Sequence, residues 1–174
     1  IVGAGPAGLF AALQLTEAGY APIVLERGRS VEKRRQDVEK FWETGLLDPA
    51  SNVQFGEGGA GTFSDGKLNT VVKDPSGRNQ FVLETFVHYG APEEITYENK
   101  PHIGTDVLSQ VIGNMRKDLI AKGAEFHFES CVKDLVIENG RIAAVVTEEE
   151  TYPASAVILA LGHSARDTFE MLDA

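Results

Sequence analysis

The sequence predicts an α/β domain in which a parallel sheet lies beside an antiparallel meander. Two short all-apolar runs, 23–25 and 156–161, are typical of strands that are buried on both faces of a parallel sheet. Amphipathic helical segments separate these runs along the chain. Asn139-Gly140 joins two further strand-like runs and is the strongest short-range signal for a β-hairpin. A length of 174 residues suits one domain of this kind.

Composition and charge exclude several classes of protein. The 16 Lys and Arg against 26 Asp and Glu give a net charge of −10, which argues against a nucleic-acid partner. No apolar run approaches the roughly 18 residues that a membrane span requires. A single cysteine, Cys131, excludes an internal disulfide, and four scattered histidines do not predict a metal site. We therefore expect a cytoplasmic protein that acts on a small molecule, without a nucleic-acid or membrane partner.

The periodicity assigns each segment to a helix or a strand. Helices are predicted over 9–18, 30–43, 78–89 and 105–122, and strands over 23–25, 125–129, 132–138, 141–147, 151–153 and 156–161. Ser30 is the expected cap of the second helix, and Trp42 belongs to its apolar face. The run Lys33-Arg34-Arg35 is interpreted as a solvent-exposed face of that helix rather than as a phosphate site. Thr105 or Asp106 is the expected cap of the fourth helix.

The first motif is Gly3-Ala4-Gly5-Pro6-Ala7-Gly8, a G-x-G-x-x-G between a strand and a helix. Gly3 permits the tight turn, Gly5 lets a pyrophosphate approach the backbone, and Gly8 allows close packing of helix on strand. The helix N-terminus attracts the anion in spite of the negative net charge. Glu26 follows where a carboxylate would accept hydrogen bonds from an adenosine ribose. The alternative is a structural glycine turn with a surface glutamate.

The second motif is the glycine-rich run 56–68. Its glycines allow positive φ and close approach to a ligand, whereas Leu68 after Lys67 excludes a P-loop. The run predicts a binding loop, and the interleaved Phe55 and Phe63 favour packing over the alternative of a flexible surface loop. A third motif, 157–164, ends a strand at Gly162 and offers His163 to a phosphate or a flavin, although a polar loop histidine is at least as consistent with the sequence. Cys131 is expected to be a small buried hydrophobe.

Together these motifs resemble a known family. GAGPAG with Glu26-Arg27, the meander around Asn139-Gly140 and ILALG at 158–162 resemble the glutathione-reductase-type FAD-binding fold. NVQFGEGGAGTFSDGKLNT at 52–70 and LALGHSARDTF at 159–169 resemble a bacterial group of poorly characterised FAD-dependent dehydrogenase-like proteins. The resemblance implies a three-layer ββα FAD/NAD(P)-binding domain with helices on one face of the parallel sheet and the meander on the other.

The resemblance also implies cofactor-binding residues. Glu26 and Arg27 would meet the adenosine, Val132 would offer backbone groups to adenine, and Lys67 could stabilise charge on a reduced flavin. The pyrophosphate would be held by Gly3, Gly5, Pro6, Ala7 and Gly8. The pyrophosphate, ribityl chain and flavin would be followed by Gly58, Gly59, Ala60, Gly61, Thr62, Ser64, Asp65, Gly66 and Lys67. Ala160, Leu161, Gly162 and His163 would pass near the cofactor.

The expected function is that of an FAD-dependent oxidoreductase, with NAD(P)H as a candidate electron donor. Two alternatives remain, a structural or regulatory dinucleotide-binding module without turnover and an NAD(P)-binding Rossmann dehydrogenase. The meander and the second glycine run disfavour the latter. The short strand at Ile1-Val2 and the helix begun at 168–174 predict a partial FAD-binding domain over 1–174, without the substrate domain and second FAD segment. The sequence names no catalytic residue.

Overall fold

The computed structural model of the protein describes residues 1–68, 73–98 and 100–173, so the end of the 52–70 motif lies outside the described residues. The helices are α1 (Pro6–Glu17), α2 (Val31–Thr44), α3 (Arg78–His88), α4 (Thr105–Ala121) and α5 (Arg166–Asp173), with 3₁₀ turns at Ala60–Phe63 and Glu93–Thr96. The strands are β1 (Ile23–Leu25), β2 (Glu125–His127), β3 (Val132–Glu138), β4 (Arg141–Thr147) and β5 (Thr151–Pro153). No helix in the described ranges is long and apolar enough to cross a membrane.

Val2 connects two segments of the parallel sheet. Val2 forms parallel bridges with both Leu25 and Leu159, and β1 pairs in parallel with β2. The strand predicted over 156–161 is therefore present only as one bridge. At this bridge the Val2 N–H donates a hydrogen bond to the Ile158 carbonyl at 2.9 Å. Ile158 and Leu159 are 41% and 44% exposed, so the expectation that this strand is buried on both faces is wrong. Only Val2 pairs with it among the described residues.

The antiparallel meander is confirmed in the order β3-β4-β5. The β3–β4 hairpin closes at Asn139 and Gly140, with φ of 51° and 73°. Both angles lie in the left-handed region that a two-residue type I′ turn requires and that asparagine and glycine tolerate best. The sequence signal at this turn therefore has a direct backbone cause.

Two hydrophobic clusters show how the layers are stacked. Val24 belongs to the cluster formed with α1, α3 and α4, whereas its neighbour Leu25 packs with Val132, Val145 and Tyr152 of the meander. Successive residues of a strand point to opposite faces, so β1 contacts the helices on one side and the meander on the other. This is the predicted three-layer arrangement, and it is confirmed.

Helix α2 differs most from its prediction. Arg34 is completely buried, which overturns its assignment to a solvent-exposed face. Trp42 is 71% exposed and lies off the buried side, which is formed by Val31, Arg34 and Val38. Ser30 occupies the N-cap position, but its side chain makes no capping hydrogen bond to the described residues. Hydrophobic periodicity could not predict that Arg34, a cation, is buried on the apolar side of α2.

Smaller differences concern element ends. Helix α1 begins at Pro6 rather than residue 9, because proline fits the first helical position. Gly104, not Thr105 or Asp106, is the N-cap of α4. Strand β2 stops before Glu129, whose φ of 56° ends the extended conformation. Cys131 is half-buried rather than buried.

We predict that Gly140→Ala lowers the free energy of unfolding by about 1–2 kcal/mol, because the new Cβ is strained at positive φ. Asn139→Gly provides the matched control, since it places the more permissive residue at the other left-handed position and should change stability by only a few tenths of a kcal/mol. Denaturant unfolding measures both. Equal effects of the two substitutions would contradict the type I′ assignment.

Candidate functional site

A cavity of about 490 Å³ opens at the carboxyl ends of the parallel strands, where ligands bind in open α/β sheets. We call it the first cavity. Its walls come from the GxGxxG turn, the end of β1, the glycine-rich run, the start of the meander, the 159–165 segment and α5. Among the predicted cofactor-binding residues, those that line it are Gly3, Gly5, Pro6, Ala7, Glu26, Arg27, Gly59, Ala60, Val132, Ala160, Leu161, Gly162 and His163.

The GxGxxG turn, residues 3–8, needs glycine for steric reasons. A Cβ at Gly3, where φ is 102°, would lie 2.4 Å from the Ala160 carbonyl oxygen. A Cβ at Gly8 would lie 1.9 Å from the Gly3 carbonyl oxygen, so the close packing of α1 on the strand depends on it. Gly5 is the N-cap of α1 in an extended conformation. The N-terminus of α1 thus borders the first cavity, and helix N-termini favour anions.

The Glu26 carboxylate joins three backbone segments. Oε2 accepts a hydrogen bond from the Ala4 N–H at 2.7 Å, and Oε1 accepts from the N–H groups of Gly28 at 2.9 Å and Gly56 at 3.0 Å. The residue is only 6% exposed. A carboxylate oxygen can accept about two hydrogen bonds, so Oε2 keeps capacity for one more donor. The sequence predicts Glu26 as a ribose ligand but does not indicate this structural role.

Arg27 fixes α5 against the cavity. Its guanidinium donates to both carboxylate oxygens of Asp167, at 2.9 and 3.1 Å, and to the Thr168 hydroxyl at 2.9 Å. The same group lies 4.4 Å from the centroid of the Phe55 ring. Pairing with Arg27 lowers the pKa of Asp167. Arg27 therefore links α5 to Phe55, the residue before the glycine-rich run, at the edge of the cavity.

The glycine-rich run touches the GxGxxG turn directly. The Gly58 N–H donates to the Ala4 carbonyl at 2.8 Å. A Cβ at Gly59, whose φ is 69°, would lie 2.9 Å from Pro6 Cδ and 3.2 Å from Gly5 Cα. Only a glycine fits between the two turns, so the two glycine motifs of the sequence form one continuous wall.

The buried Arg34 side chain donates hydrogen bonds to carbonyl groups of this run and of Asn52, which precedes it. Its Nε donates to the Asn52 carbonyl at 2.8 Å, and Nη1 donates to the carbonyls of Glu57 at 2.7 Å and Gly59 at 2.9 Å. Burial lowers the pKa of Arg34 to about 10, which still leaves it protonated at neutral pH. The sequence does not predict this role, because Arg34 stands between Lys33 and Arg35 and nothing in the sequence distinguishes the buried cation from these two neighbours.

Glu57 supplies the negative partner of the network. Its Oε2 accepts from the Val31 N–H at 2.7 Å and so caps α2 in place of Ser30, while Oε1 accepts from Arg116 Nε at 2.8 Å. Arg116 also pairs with Glu32 at 2.6 Å. Glu57 is fully buried, and burial raises its pKa to about 7. The ion pairs link α2, the glycine-rich run and α4.

The structure divides the predicted cofactor residues of 58–67 between two places. Gly59 and Ala60 line the first cavity. A second, smaller cavity of about 100 Å³ is lined by Gly58, Gly61, Thr62, Ser64, Gly66 and Lys67. Asp65 lines neither, and its carboxylate pairs with Lys67 at 2.7 Å. The His102 Nε2 lies 2.8 Å from the Asp65 carbonyl, so this histidine is next to the run although the sequence shows no link between them.

Comparison with known proteins agrees with this geometry. A family model described as an NAD(P)-binding Rossmann-like domain matches residues 1–32, which hold the GxGxxG turn, α1, β1 and Glu26. THI4 of Thermovibrio ammonificans has a TM-score of 0.59 at 19% identity, over 99% of this chain and 59% of that chain. The chain has a Rossmann-like fold. An L-amino acid deaminase from Proteus vulgaris, with its specific insertion sequence deleted, has a TM-score of 0.51 at 16% identity, over 99% of this chain and 55% of that chain.

One curated relative extends the comparison in sequence. An uncharacterized protein of Clostridium beijerinckii is 51% identical over 172 residues, which is 99% of this chain. The match covers 32% of the relative, so the Rossmann-like chain spans about a third of the length of this relative.

We predict that Glu26→Gln lowers the free energy of unfolding by about 2 kcal/mol. The glutamine oxygen can still accept from Gly28 and Gly56, but its amide group would oppose the Ala4 N–H and leave that buried donor unpaired. Glu39→Gln on the exposed surface of α2 is the control. Equal midpoints of denaturant unfolding for the two variants would argue against the role of Glu26.

We predict a pH-dependent stability difference between the wild type and Glu57→Gln. Because burial raises the pKa of Glu57 to about 7, the folded protein binds this proton more tightly than the unfolded chain does. The stabilisation is complete below the unfolded pKa of about 4.5 and is lost as the pH rises through about 7. The wild-type minus variant free energy of unfolding should therefore fall across this window. A constant difference, measured by denaturant unfolding at each pH, would show that the pKa is not raised.

Proposed function

We propose that this chain is the FAD-binding part of a flavin-dependent oxidoreductase of the glutathione-reductase type. The observation that carries the proposal is the N-terminus of α1, which borders a cavity of about 490 Å³ with the Glu26 carboxylate on the same wall. Ligand pockets in proteins have volumes of roughly 300–1,000 Å³. The resemblance of the meander and of the 52–70 run to flavoproteins favours FAD over NAD(P) as the resident cofactor.

The pyrophosphate is proposed to lie at the start of α1. Gly5, Pro6 and Ala7 line the cavity there, and Gly59 faces them across a gap that a Cβ would close. Apart from the small side chains of Pro6 and Ala7, this wall is glycine backbone, which allows the close approach of a diphosphate. The remaining acceptor capacity of Glu26 Oε2 suits a ribose hydroxyl, and its negative charge disfavours a 2′-phosphate.

The adenine end is proposed to lie between Arg27, Val132 and the 160–163 segment, all of which line the first cavity. The ribityl chain and flavin would then extend past Ala60 along the run to Lys67. Bound FAD would supply hydride or electron transfer. The protein would position it and exclude water, and Lys67 is proposed to offer positive charge beside it. The Lys67 side chain is 63% exposed, and its ammonium forms an ion pair with Asp65 at 2.7 Å.

The substrate is proposed to be a small molecule, and the activity of the whole protein is proposed to need residues outside this chain. The principal alternative is a dinucleotide-binding module without turnover. Anaerobic mixing of the full-length flavoprotein with NADH or NADPH separates the two, because bleaching of the flavin absorbance supports an oxidoreductase that takes electrons from a nicotinamide donor. An NAD(P)-binding dehydrogenase would instead be purified without flavin absorbance.

We predict that Gly5→Val lowers FAD retention by the full-length protein at least about tenfold. Gly5 has φ −73° and ψ −177°, which valine tolerates, and an added Cβ would contact only Gly59 Cα at 3.7 Å. The variant should therefore fold while its side chain occupies the space of the pyrophosphate. Flavin absorbance per protein after desalting gives the measurement.

Gly104→Val is the matched control for this substitution. Gly104 is the N-cap of α4, with φ −60° and ψ 149°, and has no atom within 4 Å of an added Cβ. The control should retain FAD fully. Retention of FAD by Gly5→Val at the level of the control would refute the proposed pyrophosphate site.

A further inference from the structure

Helix α5 turns one of its faces toward the first cavity. The lining residues of this segment are spaced as neighbours on a single helix face, and they are Ala165, Thr168, Phe169 and Leu172. Ala165 and Thr168 are buried, whereas Phe169 and Leu172 are 49% and 39% exposed. The far end of this face is therefore an apolar surface that is open at the cavity.

A different side of α5 attaches the helix to the domain. Met171 packs against the apolar cluster that includes Leu25 and Val132, and α5 contacts β3. Phe169 and Leu172 are not members of that cluster. An apolar surface that stays exposed beside a pocket of ligand size is typical of a binding site. We therefore looked for the part of a ligand that this face would cover.

Arg27 connects this face to the proposed ribose site. Its guanidinium donates to the Asp167 carboxylate at 2.9 and 3.1 Å and to the Thr168 hydroxyl at 2.9 Å, and Thr168 immediately precedes Phe169. Arg27 also directly follows Glu26, the proposed partner of the ribose. The apolar face of α5 is thus tied to the residue next to that partner, where the base of the same nucleotide would lie.

The charges at this end of the cavity favour an uncharged ring over a phosphate. Both terminal nitrogens of Arg27 donate to Asp167, and the face of the guanidinium lies 4.4 Å from the centroid of the Phe55 ring. The edge that would otherwise grip a phosphate is therefore occupied. The N-terminus of α1 remains the part of the lining that attracts anions. Phosphate and base are thus directed to different parts of the cavity.

We propose that Phe169 and Leu172 form the surface on which the nucleotide base of the bound dinucleotide packs, with the base stacked on the Phe169 ring. The inference rests on the proposed function, since it concerns the adenine end of the same cofactor. Every base has a π-face, so an exposed aromatic ring binds it without further hydrogen bonds. Phe169 sets the affinity for the adenosine half of the cofactor and leaves the flavin half unaffected. Helix α5, which lies outside both glycine motifs, becomes part of the binding site.

The test uses the two halves of FAD as probes on the full-length protein after removal of its flavin. ADP has the adenine without the flavin, and FMN has the flavin without the adenosine. Titration calorimetry gives the dissociation constants of FAD, ADP and FMN. Phe169→Ala should weaken the binding of FAD and ADP by roughly five- to fiftyfold and leave the affinity for FMN unchanged.

Trp42→Ala is the matched control. It truncates another exposed aromatic side chain, one that lines neither cavity, and should leave all three affinities unchanged. Phe169→Leu keeps an apolar side chain but removes the planar ring, so it should weaken ADP binding by about two- to tenfold. If Phe169→Ala fails to fold, Phe169→Leu decides.

The outcomes separate this inference from the proposed function. If the wild type binds FAD and the Phe169 variants bind FAD and ADP as tightly as Trp42→Ala does, the role of Phe169 is refuted and the FAD site stands. Equal weakening of FMN would also refute it, because it would show a general disturbance of the cavity. If the wild type binds ADP but not FAD, and Phe169→Ala weakens ADP, the stacking site stands and the flavin proposal fails. Binding of neither nucleotide by the wild type would overturn both.

Discussion

The arrangement of the site depends on one buried carboxylate, that of Glu26. Its two oxygens accept the N–H groups of Ala4, Gly28 and Gly56, which belong to the GxGxxG turn, the segment after β1 and the glycine-rich run. Each of these amides points inward at a turn where no neighbouring strand can pair with it. A buried charge is tolerated when hydrogen bonds replace its hydration, and three amides do so here. Without this anion, three turns would each have an unpaired buried donor.

A second set of buried charges supports the same wall from the helical side. Arg34 donates to carbonyl groups of the glycine-rich run, and Glu57 accepts from the first amide of α2 and from Arg116. The carboxylates of Glu26 and Glu57 accept hydrogen bonds from backbone N–H groups, and Arg34 donates to backbone carbonyls. The irregular backbone thus finds side-chain partners for donors and for acceptors. A run rich in glycine loses much conformational entropy on folding, and these charge-assisted hydrogen bonds offset that loss. The order of the run is thus imposed by side chains from other elements.

The sequence predicts features that depend on neighbouring residues much better than features that depend on residues far away in the chain. The Asn139-Gly140 turn, β1 and the helical segments follow from residues within a few positions, and the structure confirms them. Arg34 and Glu57 could not be found in this way, because the partners of Arg34 lie 18 to 25 residues away and those of Glu57 lie 26 and 59 away. Leu159 has the apolar character of a buried strand, but burial depends on what packs against it, and one bridge to Val2 leaves it 44% exposed.

The pairing of Val2 has a consequence for the order in which the chain can fold. Val2 lies between Leu25 and Leu159 in the sheet, so one of its partners is 23 residues away and the other is 157 residues away. During synthesis the first pairing can form early, whereas the second must wait until nearly the whole of this chain has left the ribosome. Contacts of such wide sequence separation slow folding, because loop closure costs entropy before the contact is gained. The carbonyl of Ala160 that packs against Gly3 arrives with the same late segment. The first cavity is therefore completed only after the 159–165 segment has been synthesised, and a growing chain would expose the edge of Val2 to other strands until then.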